Sequence, residues 1–378
     1  MPASISFVVP CLDEADSLPA VLDRIQQVRD GAFAGRDVEI VVADNGSTDG
    51  SREIAAAHGA RIEDCPVRGY GAALRHGFER ARHDIVVFAD ADNTYDFAEA
   101  PRLVAKLEEG NDLVLGSRMR GEIRPGAMPF LHRWLGTPAL TFVLNRLHAG
   151  PGQKVSDCNS GFRCFRRASF AAWQPRATGM EFASEMLVKA MRSGARIAEV
   201  SITLHPDTRG RPPHLKRWRD GTRHLLQILA GSPRFFFGLG LLLLLANWAV
   251  LLIGLFWGPL SLPWGNVFGI HTMMFALLGT CLGLNVFGVG LLLAAREGGD
   301  PGPYRPLLEV DEGRLLWGGV GFLLACTLVS LVPILIDWAD AGFRFLALQK
   351  QTLVLVAFGA NGVFFLFNVI GAHLLKQR

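Results

Sequence analysis

Apolar and polar positions divide the chain at about residue 234. Before that point, short β-branched runs alternate with longer amphipathic stretches: 5–9 then 17–28, 38–43 then 51–58, 85–89 then 98–108, and 113–115. A period of two that gives way to a helical period, repeated in this way, predicts βαβ units around a mostly parallel sheet. After it come four apolar runs, 235–257, 269–295, 315–336 and 352–375, none of which contains Lys, Arg, Asp or Glu. Each is long enough to cross about 30 Å of hydrocarbon as a helix. The expected organisation is therefore an α/β domain over 1–230 followed by a four-helix membrane domain over 231–378.

Composition sharpens this division. Half of the 378 residues are hydrophobic and 19% are charged, too apolar a balance for one water-soluble domain. The 144 residues after Arg234 hold 7 Lys+Arg and 7 Asp+Glu, leaving 31 and 28 in front. The front domain is thus ordinary in charge, neither disordered nor striped with the dense basic surface that nucleic acid requires, and no nucleic-acid partner is expected. The cysteines, Cys11, Cys65, Cys158, Cys164, Cys281 and Cys326, form no C-x-x-C pair, so neither a disulfide framework nor a zinc site is expected.

The basic residues beside the spans give an orientation. Arg209, Arg211, Lys216, Arg217, Arg219, Arg223 and Arg234 precede the first span; Arg296, Arg305 and Arg314 lie in the second connection, and Lys376 and Arg378 end the chain. The opposite side has Arg344 and Lys350. This asymmetry predicts a multi-pass protein of an inner membrane of the bacterial kind, with the front domain and C-terminus cytoplasmic. The first 10 residues are too short and lack the basic flank of a signal peptide, in keeping with that side. The seven basics before the first span would meet the anionic leaflet, each contributing about 1 kcal/mol. His271, Asn285, Asn361, Asn368 and His373 inside the spans are expected to make interhelical hydrogen bonds rather than a transport path.

In parallel sheets ligands bind beyond the carboxyl ends of the strands, and here those ends are polar. Residues 5–9 lead into Pro10, Cys11, Leu12, Asp13 and Glu14; residues 38–43 lead into Asp44, Asn45, Gly46, Ser47, Thr48, Asp49 and Gly50. The second cluster can turn at Gly46 and cap the next helix with Ser47 or Asp49. Capping does not require Asp44, and for this cluster nucleotide contact and helix capping weigh equally. Residues 85–89 lead into Asp90, Ala91, Asp92 and Asn93. On an extended chain residues i and i+2 point the same way, so Asp90 and Asp92 would converge, and a Mg2+ or Mn2+ ion would relieve their repulsion. A solvated acidic turn is the alternative. Gly69 and Gly71 open a helix whose N-terminus could take a phosphate or ribose. Arg118, after Gly116 and Ser117, could hold phosphate oxygens or be a surface arginine.

Taken together these residues resemble family-two glycosyltransferases, whose catalytic domain has the GT-A fold. The matching stretches are Val9-Pro10 with Glu14, Asp44 to Ser51, Asp90-Ala91-Asp92 and Gly116-Ser117-Arg118. The run Ser156 to Arg163, then Glu181 to Leu187 and Glu199 to Ile202 leading to Arg209, is similar to polyprenyl-phosphate sugar synthases of the dolichol-phosphate mannose or glucose type. The resemblance implies that Pro10, Glu14, Asp44, Asn45, Gly71, Asp90 and Ala91 surround the nucleotide, and that Asp90, Asp92 and Asn93 hold Mg2+ or Mn2+. It implies that Arg118, Arg133 and Arg209 bind the acceptor phosphate, that Asp90, Asp92 and Arg118 serve catalysis, and that Asp157, Ser160 and Arg163 belong to the site. Asn45, Asp13 and Leu12 depart from the family pattern, and Asp92 to Asp96 is closer to the glucose-type members.

The implied activity is inverting transfer of one hexose from a UDP-glucose or GDP-mannose type donor to polyprenyl phosphate. Residues 129–148, with Phe130, Leu131, Trp134, Leu135, Phe142 and Val143 at helical spacing, are expected either as a membrane-interface helix presenting Arg133 or as a helix packed on the sheet. Two other functions remain open. A processive polysaccharide synthase would carry Q-x-x-R-W, of which only Arg217-Trp218 is present. A membrane scaffold or lipid-sugar flippase would bind nucleotide without transfer. The spans allow homo-oligomerisation, although no motif specifies it.

Overall fold

A computed structural model describes residues 3–208, 217–263, 265–297, 301–342 and 349–376. The chain forms two compact units, Met1–Ile228 and Leu229–Arg378.

In the first unit the order is β1 (Ile5–Cys11), α1 (Leu18–Asp30), β2 (Val38–Asp44), α2 (Ser51–Ala57), β3 (Arg61–Asp64), α3 (Tyr70–Arg80) and β4 (Ile85–Phe88). Then follow α4 (Ala100–Glu108), β5 (Leu113–Ser117), α5 (Thr137–His148), β6 (Arg163–Arg166), α6 (Arg167–Trp173), α7 (Phe182–Arg192) and β7 (Ile197–Ser201), with α8 (Arg217–Ala230) at the boundary. The seven strands form one sheet in the order β3-β2-β1-β4-β6-β5-β7. All neighbours are parallel except β6, which runs antiparallel to both β4 and β5.

All seven residues of β1 are buried, as a central strand covered on both faces requires. Alternation assigns its side chains to two cores. Phe7 and Val9 pack with Leu22 of α1 and Leu103 of α4, while Val8 packs with Phe78 of α3 and Met186 of α7. Gly77 lets α3 approach the sheet, because a Cβ there would stand 2.5 Å from Val8 Cγ1.

The reversed strand shapes the site. In register Arg163 of β6 lies beside Phe88 of β4 and Leu115 of β5. The residues that enter β6, 156–162, therefore lie at the edge where β1, β2, β4 and β5 end. Topology has brought five polar segments to one rim.

The second unit contains α9 (Pro233–Phe256), a hairpin of β8 (Leu260–Leu262) and β9 (Gly265–Val267), α10 (Ile270–Glu297), a short α11 (Arg305–Leu308), α12 (Glu312–Asp340) and α13 (Lys350–Lys376). Four of these helices, α9, α10, α12 and α13, are long and apolar enough to cross a membrane. Small residues let α9 and α10 approach closely: a Cβ on Gly283 of α10 would stand 2.5 Å from the backbone nitrogen of Leu244 in α9. Of the intramembrane asparagines, Asn368 donates between helices to the Leu284 carbonyl at 3.4 Å, whereas Asn285 donates within its own helix to Cys281 at 2.9 Å. The Asn361 amide finds no partner among the described residues. Interhelical hydrogen bonding is thus carried by one of these three asparagines.

Candidate active site

At the ends of β1 and β2, two loops interlock. Ser47 Oγ accepts from the Asp13 backbone amide at 2.9 Å, and Asp13 Oδ1 accepts from the Thr48 amide at 2.7 Å. Ser51 Oγ accepts from the Glu14 amide at 2.8 Å and Asp49 Oδ2 from the Ala15 amide at 2.9 Å. Asp49 Oδ1 also takes the Ser51 amide at 3.1 Å, the first amide of α2, whose N-cap is Gly50, while Ser47 is turned to the neighbouring loop.

Asp44, 1% exposed, accepts from the amides of Gly46 at 3.1 Å and Ser47 at 3.2 Å and from Arg52 Nη1 at 2.8 Å. Asn45 donates to the Val67 carbonyl at 2.8 Å and accepts from the Gly69 amide at 2.7 Å. Both side chains expected near a base or ribose are thus tied into the scaffold of the rim. Pro10 and Glu14 are buried beside them.

The glycine turn before α3 also differs from the phosphate cradle expected there. A Cβ on Gly71 would stand 2.6 Å from the Ala177 carbonyl oxygen and 2.6 Å from Phe182 Cβ, and the Ala72 amide already donates to the Thr178 carbonyl at 3.1 Å. Gly71 is needed because the 177–182 segment lies against that face. A chain that fills the helix N-terminus with its own carbonyl leaves fewer amides for an anion.

The acid pair is held differently from strand alternation. β4 ends at Phe88, Ala91 and Asp92 lie in a turn, and Asn93 adopts φ 60°. Each carboxylate has its own anchor. Asp90 Oδ1 accepts from the Tyr70 hydroxyl at 2.7 Å, and Asp92 Oδ1 accepts from Thr94 Oγ1 at 2.6 Å and the Thr94 amide at 3.1 Å. On its other side Asp90 lies against Gly161, where a Cβ would stand 2.5 Å from Oδ2, and the Gly161 amide donates to the Tyr95 hydroxyl at 2.9 Å. Burial, and then Asp90, raise the Tyr70 phenol well above its ordinary pKa, and burial raises Tyr95 to about 12, so both remain hydroxyls at neutral pH.

Arg118, just past β5, is bound in two places. Its Nε and Nη2 donate to Asp157 Oδ2 at 2.7 Å and Oδ1 at 2.8 Å, and its amide donates to Oδ2 at 3.1 Å. Asp157 is fully buried and the Arg118 side chain 12% exposed. Burial pushes the Asp157 carboxyl up, but Arg118 outweighs it and holds the group below the usual carboxylate range. The run around Asp157 is fastened in turn. Ser160 Oγ donates to the Gly116 carbonyl at 2.5 Å, and fully buried Arg163 donates to the carbonyls of Ser160, Ala183 and Cys158 at 2.9, 2.8 and 3.0 Å. Glu199 of β7 accepts from the Ser156 amide at 2.7 Å and pairs with Arg120 at 3.3 Å.

Asp90, Arg118, Asp157, Ser160 and Arg163 are therefore linked at one rim. Arg133 lies in the strip leading into α5, with its guanidinium 5.4 Å from the Trp134 ring. A π-helical turn, His132–Gly136, joins α5 there. Leu144 is buried in the core while Phe130, Trp134 and Phe142 are 74, 64 and 70% exposed, so the segment both packs on the domain and shows an aromatic face. Arg209 lies outside the described residues.

Sequence reasoning passed over the two tyrosines and Glu199 as partners of the rim residues. One signal was available: the chain has 25 Phe and 3 Tyr, so a retained hydroxyl is informative, and two of the three flank Asp90.

The donor set discriminates between cations. Among the described residues no group of three or more His, Cys, Asp or Glu gathers around one point. Two carboxylates and Asn93 in one turn fit an ion such as Mg2+ or Mn2+, which takes one or two carboxylates and completes its shell with phosphate oxygens and water, and do not fit a structural zinc.

The model of the family described as Glycosyl transferase family 2 matches residues 6–173. The low-salt glycan biosynthesis hexosyltransferase Agl6 of Haloferax volcanii is 35% identical over 97% of this chain and 89% of its own length. A dolichyl-phosphate hexose transferase of the same organism is 31% identical over 52% of this chain and 81% of its own length. Among solved structures, glucosyl-3-phosphoglycerate synthase of Mycobacterium tuberculosis, in complex with Mn2+, UDP and glucosyl-3-phosphoglycerate, is 28% identical over 61% of this chain and 80% of its own, with a TM-score of 0.49.

Proposed function

Because the chain belongs to glycosyl transferase family 2, we propose that it moves one hexose from a nucleotide-diphosphate sugar of the UDP-glucose or GDP-mannose type to polyprenyl phosphate. The product is a polyprenyl-phosphate hexose, inverted at the anomeric carbon. The observation that carries this reading is the meeting of the Asp90–Asp92 turn and the Arg118–Asp157 pair at one sheet edge, in a chain that continues into four apolar helices. A relative named as a dolichyl-phosphate hexose transferase supports a lipid phosphate as acceptor.

In this reading Asp90, Asp92 and Asn93 would hold the cation at the rim where the donor diphosphate binds. Bound Mg2+ or Mn2+ supplies positive charge where the leaving diphosphate gains negative charge. A phosphate oxygen of the lipid forms the new bond to the anomeric carbon from the opposite face. The bond from that carbon to the diphosphate breaks, and its electron pair leaves with the nucleoside diphosphate. A phosphate monoester, with a second pKa of about 6, is already largely dianionic at pH 7, so the chain needs no general base.

What the chain must supply is positive charge to bring two anions together. Arg118 is preset for this role. Asp157 fixes its plane through Nε and Nη2, and Nη1 is not engaged by Asp157. Arg133 and Arg209 are assigned to the lipid phosphate. The exposed aromatic face of 130–142 lies in the interfacial layer, where such a strip buries apolar area among acyl chains. The excess of basic residues on one side of the spans supports a cytoplasmic position for this domain and the C-terminus.

The test is to give the purified full chain a panel of nucleotide sugars with undecaprenyl or dolichyl phosphate and to weigh the lipid by mass spectrometry. The expected product is a lipid heavier by one hexose, with one equivalent of nucleoside diphosphate released. A long polymer would replace this reading with a processive synthase. Donor binding without release of nucleoside diphosphate would replace it with a scaffold or flippase.

A further inference from the structure

Asp90 does not orient itself. Its Oδ1 is met by the Tyr70 hydroxyl at 2.7 Å, from a residue 20 positions earlier at the start of α3. That helix start is tied to its neighbours. The Gly69 amide donates to Asn45 Oδ1 at 2.7 Å, the Ala72 amide to the Thr178 carbonyl at 3.1 Å, and Gly71 is pressed against the 177–182 segment. The opposite side of the carboxylate meets Gly161, which has no room for a Cβ beside Oδ2. The carboxylate is thus held between a hydroxyl and a glycine, each fixed by its own backbone contacts.

From this arrangement we infer that Tyr70 is a positioning residue for the divalent cation: its hydroxyl fixes the plane of the Asp90 carboxylate and so presets the oxygen that ligates the ion. The inference rests on the metal reading proposed above and deepens it. Three physical points support it. A phenol donates a hydrogen bond without neutralising the carboxylate, whereas an arginine or lysine here would compete with the cation. Partners that orient a ligating carboxylate are worth about 10- to 100-fold in metal affinity. And a chain with 25 Phe and 3 Tyr does not need the Tyr70 oxygen for packing, since phenylalanine fills its core elsewhere.

The experiment measures Mn2+ binding directly, by electron paramagnetic resonance titration of the full chain in detergent, alone and with UDP or GDP. The wild type, Tyr70→Phe, Gly161→Ala and Asp90→Asn are compared, with melting temperature as the control for folding. The inference expects Tyr70→Phe to melt like the wild type and to bind Mn2+ about 10- to 100-fold more weakly. Gly161→Ala, which pushes Asp90 from the other side, should weaken Mn2+ comparably and keeps the test open if Tyr70→Phe does not fold. Wild-type Mn2+ affinity in Tyr70→Phe, with binding abolished in Asp90→Asn, would overturn the inference and leave the metal reading standing. Unchanged Mn2+ affinity in Asp90→Asn would overturn both.

Discussion

Replacing Asp157 by Asn tests whether the Arg118 fork is held as the structure places it. The side chain keeps its shape but loses its charge, and one of its two oxygens becomes an NH2 group that faces a guanidinium N–H. Four hydrogen bonds converge on Asp157, from Arg118 Nε, Nη2 and N and from the Asn159 amide at 3.3 Å. Removing one partner of a buried ion pair costs about 3–5 kcal/mol. Arg118 keeps 12% of its side-chain exposure, so the lower end, about 3 kcal/mol, is the expected loss. For a unit of this size that is a fall of about 6–12 °C in the melting temperature of the first unit.

The assay is thermal unfolding of Asp157→Asn, Arg118→Met and the double variant. The double should be less destabilised than the sum of the singles by about 1–3 kcal/mol, because it leaves no buried charge alone. The pH dependence has a definite direction. Because the folded pKa of Asp157 lies below its ordinary value of 3.8, its contribution is present above about pH 4 and disappears as pH falls through the depressed folded value. The Asn variant should lack that acid-side loss. Single variants within about 0.5 kcal/mol of wild type, combining additively, would refute the pairing.

Three further outcomes follow from the geometry. Asp90→Asn and Asp92→Asn should each abolish hexose transfer while the protein still inserts and melts normally; full activity of both under saturating Mg2+ or Mn2+ would remove the metal assignment. Photo-crosslinkers at positions 130 and 134 should capture lipid in vesicles containing the full chain, and an absence of adducts would assign the exposed strip to something other than the bilayer. His224 is 8% exposed, its Nδ1 lies 2.6 Å from Ser184 Oγ, and burial, reinforced by Arg163 against Glu181 and Asp220, lowers its pKa to about 4. The unfolded chain therefore takes up a proton first, stability should fall as pH drops from about 6.5 to about 4 by at most about 3 kcal/mol, and His224→Gln should flatten that decline.

The sequence was most legible where one physical cause dominated. Four uncharged runs marked four membrane-length helices because charge in hydrocarbon is so costly, and continuous burial made β1 and β4 readable. The polar strands were not readable: β3 is Arg-Ile-Glu-Asp and β6 is Arg-Cys-Phe-Arg, neither of which shows an apolar run. Missing β6 also hid its reversal, and with it the reason why residues 156–162 share a rim with Asp90. Arg118 was legible as a cation at a strand end, but its fastening to Asp157, 39 positions away, comes only from tertiary pairing. The same is true of Asn45 and Gly71, whose partners at 65–69 and 177–182 are set by how loops pack and not by the local pattern.

The most direct measurement is the structure of the full chain with Mn2+ and UDP or GDP, with X-ray data recorded at the manganese absorption edge. The account predicts one anomalous peak bridging the Asp90 and Asp92 carboxylates to the diphosphate. A diphosphate seated away from both carboxylates, with no manganese peak between them, would contradict it.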